Sequence, residues 1–82
     1  MPKFEINNNG IKFIEELIDN GANKKLQNTL KDLHYADIAE IINELSADQA
    51  TYLVKLLDSD KTADALTEVD EDIREGILEN LS

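Results

Sequence analysis

Residues 33–81 read LHYADIAEIINEL (33–45), SADQATYLVKLLDSDKTADALTEV (46–69) and DEDIREGILENL (70–81), and the rhythm of this stretch decides the fold. Leu33, Leu45, Leu57, Val69 and Leu81 recur every twelve residues, and four of the five are followed by a helix-capping type: Ser46, Asp58, Asp70 and Ser82. Between these marks the apolar residues keep helical spacing: Ile38, Ile41, Ile42; then Ala50, Leu53, Val54; then Ala63, Leu66; then Ile73, Ile77, Leu78. Ser46 with Gln49 fits a reciprocal capping box, while Asp58 and Asp70 set a carboxylate against the orphan amides of a helix start. A helix of about twelve residues is marginal alone in water, so each unit must bury its stripe against its neighbours. The pattern predicts an all-α, superhelical, solenoid-like stack rather than a bundle around one point.

Upstream, Ile11, Ile14, Leu17 and Ile18 form one stripe that Asn20 and Gly21 stop. Leu26, Leu30 and Leu33 form a second, with Asn23 as its expected N-cap and an end near Leu33. That makes about six short helices. Residues 1–10, with a Phe4/Ile6 alternation and a turn signal from Asn7 to Gly10, read as an extended lead-in to a helical domain over residues 11–82. Ser82 stands where a further helix would be capped, so the array is expected to continue past it. Gly76 interrupts the last stripe at a cost of about 1 kcal/mol relative to Ala, which either a close helix contact or simple tolerance of the glycine would explain.

Composition narrows the function. Eighty-two residues, 41% of them hydrophobic and none of them cysteine, make one small domain without disulfides, thiolate chemistry or a cysteine-based zinc site. A chain of this size buries only about 60% of its unfolded surface, too little for a large catalytic cleft. No apolar run exceeds three residues, so the sequence holds neither a signal-peptide core nor a membrane span. Eight Lys and Arg against eighteen Asp and Glu give a net charge of −10, which repels nucleic acid and anionic lipid headgroups.

The charge is unevenly placed. Residues 1–31 carry five lysines and four acids, whereas residues 32–82 carry fourteen acids against Lys55, Lys61 and Arg74. Asp48, Asp58, Asp60, Asp70, Glu71 and Asp72 fall in expected first turns, where the helix dipole favours them. Two rows remain: Asp60, Asp64 and Glu68 along the fifth helix, and Glu71, Glu75 and Glu79 along the sixth, each at i, i+4, i+8. Like charges so spaced cost about 0.2–0.5 kcal/mol per pair. Lys61, three residues before Asp64, is the local counter-charge of the first row. The rows read either as a solvated face kept for solubility or as a surface awaiting cations or a basic partner.

Carboxylates alone select hard cations, and one histidine without cysteine disfavours zinc, copper and nickel. An EF-hand is excluded: a loop opened by Asp58 would put Ala63 where glycine is required and Val69 where the bidentate Glu belongs. Helix-borne carboxylates suit magnesium, which keeps several waters and takes few protein ligands. His34 stands at a helix start, a capping or packing position with no nucleophile to join. The paired carboxylates lie on convex stripes without a pocket, so no enzyme is expected. Four aromatic residues, two Tyr and two Phe, are too few for base stacking.

With its order and twelve-residue phase, the stretch 33–81 resembles the cytosolic N domain of the MgtE family of magnesium transporters. The family's usual opening is Leu-His-Pro-Ala-Asp; here Tyr35 takes the proline's place, which a first helical position tolerates. The resemblance implies a right-handed superhelix ahead of CBS domains and a transmembrane domain of the same polypeptide, working as a homodimer on the cytoplasmic side of a bacterial inner membrane. It implies magnesium ions bridging the N and CBS domains to hold the pore closed, with acidic surfaces repelling once the ions leave. Asp64 matches the family's N-domain magnesium ligand, with Asp where Glu is common; Asp60 and Glu68, its neighbours in the row, are further candidates. By itself this stretch is expected neither to insert in a membrane nor to bind nucleic acid. An alternative is a protein-interaction scaffold like the superhelical domain of flagellar motor switch proteins, which predicts a rotor-type partner and no magnesium dependence.

Overall fold

Six helices follow one another in a computed structural model that describes residues 7–57 and 60–81: α1 (Asn8–Asp19), α2 (Asn23–Leu30), α3 (Tyr35–Asn43), α4 (Ala47–Leu57), α5 (Asp60–Leu66) and α6 (Glu71–Leu81). No strand occurs among the described residues. The Phe4/Ile6 alternation and the capping roles of Asp58 and Ser82 lie outside those residues.

The helix ends show why the chain breaks where it does. Asn7, in extended backbone, caps α1 by accepting from the Gly10 N–H at 2.9 Å. Asn8, Asn9 and Gly10, read above as lead-in, therefore form the first turn of α1. At its other end Gly21 adopts φ +66°, a left-handed conformation that a Cβ opposes. The turn is a Schellman motif, with the Ala22 N–H on the Leu17 carbonyl at 2.9 Å and the Gly21 N–H on that of Ile18 at 3.1 Å. The expected stop at Asn20 and Gly21 thus has its mechanism.

Asn23 is not the N-cap of α2. Ala22 holds that position with no side-chain bond, and the side-chain Oδ1 of Asn23 instead accepts from the Tyr52 hydroxyl of α4. A tertiary partner outcompeted the local one. His34 likewise caps α3 only with its backbone, and its side chain is exposed. The capping box opening α4 is present in full: the Ser46 N–H donates to Gln49 Oε1 at 3.1 Å, and the Gln49 N–H to Ser46 Oγ at 3.2 Å.

The helices of the repeat pack mainly two units apart, α3 with α5 and α4 with α6, while α1 pairs with α2 and both fold onto α4. Ile14, Leu26, Leu30, Ile38, Ile41, Ile42, Leu53 and Ile77 are fully buried, and α5 adds Ala65, so all six helices feed one core. The radius of gyration, 11.6 Å, equals the roughly 11.7 Å of a compact chain of this length. The expected all-α succession of six short helices is present, elongated at 37 × 24 × 22 Å, with α1 and α2 returning onto α4 on one side. The twelve-residue ladder plugs the junctions: Leu45 and Val69 are buried just past α3 and α5, and Leu33 and Leu57 are half-buried.

Polar side chains fix the α4–α6 and α3–α6 junctions. Asn80 Nδ2 donates to Thr51 Oγ1 at 3.0 Å and to Asp48 Oδ1 at 3.2 Å. Asn43 Oδ1 accepts from the Asp70 N–H at 2.8 Å, tying the end of α3 to the start of α6. At Gly76 an added Cβ would lie 3.0 Å from the Cβ of Ala47, so the glycine marks the close approach of α6 to α4.

Candidate functional site

The fifth helix is seven residues long, and its shortness decides where the candidate carboxylates stand. Asp60 opens α5, in the first turn, where the dipole favours it. Asp64 follows one turn later on the same row. Both side chains are exposed.

Glu68 leaves the row. The Thr67, Glu68 and Val69 N–H groups reach back three residues instead of four, to the carbonyls of Asp64, Ala65 and Leu66 at 3.2, 3.0 and 3.4 Å. The Thr67 hydroxyl also donates to the Asp64 carbonyl, at 2.6 Å, occupying an acceptor that a continuing helix would use. The expected helix to Val69 therefore ends at Leu66, and Glu68, exposed, lies in the following turn rather than on a third helical step.

Lys61 does not serve Asp64 in the way the spacing implied. Its ammonium donates to the Lys31 carbonyl at 2.6 Å, at the C-cap of α2, where positive charge meets the negative end of that helix. This long-range bond fixes the start of α5 against α2. Sequence reasoning missed it because Lys61 and Lys31 share no local pattern. Beside it, Leu30, Ile38, Leu57 and Thr62 with Lys31, Asp60 and Lys61 line a cleft of about 530 Å³.

The second acidic row is intact, since Glu71, Glu75 and Glu79 all lie within α6 and are exposed, over about 12 Å of helix at 1.5 Å per residue. Among the described residues no three His, Asp or Glu side chains come together as a metal cage. The exposed carboxylates of α5 are of the donor type that a hard cation takes.

No helix is long and apolar enough to cross a membrane among the described residues. An all-α domain of short stacked helices, carrying its acids on exposed faces, is thus the class that fold and surface define. The chain belongs to the family of the MgtE intracellular N domain, whose model matches residues 33–82, from the ladder position before α3 through α6. The helices α1 and α2 stand outside that match. No curated protein and no solved structure matches the chain.

Proposed function

We propose that this domain is the cytosolic magnesium-sensing regulator of a magnesium transporter, docking on CBS domains through bridging magnesium ions and so closing the pore. The observation that carries the reading is the family match over α3–α6, which contains the acid surplus and the exposed Asp60 and Asp64 of α5. Asp64 is the principal ligand, Asp60 stands one turn before it, and Glu68 reaches the ion from the turn beyond. Magnesium retains waters and takes few carboxylates, which suits a site whose other ligands sit on the facing domain.

The energetics require several ions. Two unit charges 5 Å apart in water interact by about 0.8 kcal/mol before screening. Moving a gate from 1:99 to 99:1 takes about 5.5 kcal/mol of differential binding. Several carboxylates in each subunit of a homodimer, neutralised together, supply energy of that order, and their repulsion opens the assembly when magnesium leaves.

Magnesium titration of the 82-residue chain, followed by amide chemical shifts in the wild type and Asp64→Ala, tests the assignment. The expected result is weak binding, about millimolar, with shifts on α5 that Asp64→Ala removes. Tight binding indifferent to the substitution, or no shift on α5, would overturn the shared-site reading.

A further inference from the structure

Asp60 and Asp64 stand on a helix of seven residues, about two turns, too short to keep its shape without partners. Thr62 and Ala65 are buried on its inner side, and the Thr67 hydroxyl on the Asp64 carbonyl closes its far end. Its near end borders the cleft between α2 and α5. There the half-buried Lys61 reaches across to α2 and donates to the Lys31 carbonyl at 2.6 Å, where the negative end of the α2 dipole favours its charge. The base of this strut is itself fixed. Leu26 and Leu30 of α2 are fully buried, and Gln27 Nε2 donates to the Leu56 carbonyl of α4 at 3.4 Å.

We propose that Lys61 is a positioning residue for divalent-cation binding by α5: its bridge to α2 keeps the first turn of the helix formed, and so keeps Asp60 and Asp64 about 6 Å apart along one row. This role rests on the magnesium reading of Asp64 above, and it makes α2, which lies outside the family match, a determinant of the affinity. A pair of carboxylates that is ordered only part of the time binds with its affinity reduced by that fraction.

Charge alone acts the other way. An ammonium beside carboxylates opposes a cation, so replacing Lys61 by a neutral side chain would tighten magnesium binding if its charge were all that mattered. Loss of the strut loosens it. The two effects of removing Lys61 have opposite signs, and the sign of the measured change tells them apart.

Amide hydrogen exchange without metal, followed by magnesium titration read from amide shifts, compares wild type with Lys61→Met, Lys61→Arg and Lys55→Met. Lys61→Met keeps the apolar stem and loses the donor, Lys61→Arg keeps both charge and donor, and Lys55→Met removes the same charge from an exposed site on α4. Lys61→Met is expected to speed exchange on α5 while α3 and α4 stay protected, and to weaken magnesium binding about threefold or more. Lys61→Arg should match wild type in both measurements, and Lys55→Met should bind as tightly as wild type or tighter. Binding by Lys61→Met as tight as wild type or tighter overturns the proposal and leaves Asp64 standing as a ligand. A Lys61→Arg variant as weak as Lys61→Met overturns it too, and so does a loss of protection that spreads over α3 and α4, which would assign Lys61 to the fold at large. Wild type without magnesium shifts on α5 refutes the metal site itself, and the positioning role with it, before any substitution is compared.

Discussion

Replacing Gly76 by alanine sets two effects of known sign against each other. Alanine in a helix interior is favoured over glycine by about 1 kcal/mol, so propensity alone makes Gly76→Ala stabilising. The new Cβ, however, would lie 3.0 Å from the Cβ of Ala47, several tenths of an ångström inside ordinary methyl contact. Ala47 cannot yield by turning a rotamer, because its Cβ is fixed to the backbone. That backbone is the first residue of α4, held by the Ser46–Gln49 capping box on one side and by the Asn80 bonds to Asp48 and Thr51 on the other. Overpacking in such a place costs about 1–3 kcal/mol. The net expectation is a loss of about 1 kcal/mol, or a fall in melting temperature of about 4–8 °C for a domain of this size. Urea unfolding followed at 222 nm measures it, with Ala47→Gly and the double variant completing a cycle. In the double variant the clash is gone and the penalty of Gly76→Ala should shrink or reverse, a positive coupling between neighbours. Stabilisation by Gly76→Ala alone, or strict additivity in the cycle, would refute the reasoning, since either means that α6 does not need a bare backbone at α4.

Other substitutions test other joints. Gly21→Ala forces a Cβ into the left-handed region and is expected to cost about 1–2 kcal/mol by the same urea assay, with Gly21→Asn milder. Ser46→Ala removes one arm of the capping box and should cost about 1 kcal/mol, with little further loss when Gln49→Ala is added. Leu53→Ala opens a cavity where the side chain is wholly buried, with an expected loss of about 2–5 kcal/mol. Glu75→Gln/Glu79→Gln removes like-charge neighbours from an exposed row, and should raise stability by up to about 1 kcal/mol at low salt and by less in high salt.

Much of the fold was legible from local chemistry. The twelve-residue ladder located the junctions, Asn20–Gly21 marked the stop of α1 that the structure makes with a Schellman turn, and Ser46 with Gln49 announced a capping box that is closed by both bonds. The turn and the capping box rest on partners within six residues of one another in the chain, where geometry is set by the helix itself. The candidate site was less legible. The Asp60–Asp64 spacing survives on α5, but Glu68 drops off the row because the Thr67 hydroxyl and a tightened last turn end the helix early.

What the sequence determines alone is the succession of short amphipathic helices, their capped junctions and the surplus of acid after residue 31, because periodicity and charge are properties of the chain in order. The tertiary structure decides which of these features meet. It takes Asn23 from a capping role to bind Tyr52, draws Lys61 from Asp64 to the carbonyl of Lys31, and brings Gly76 against Ala47. Each of these choices pairs residues about thirty positions apart, where a partner is supplied only by how the helices pack, and no local spacing encodes it.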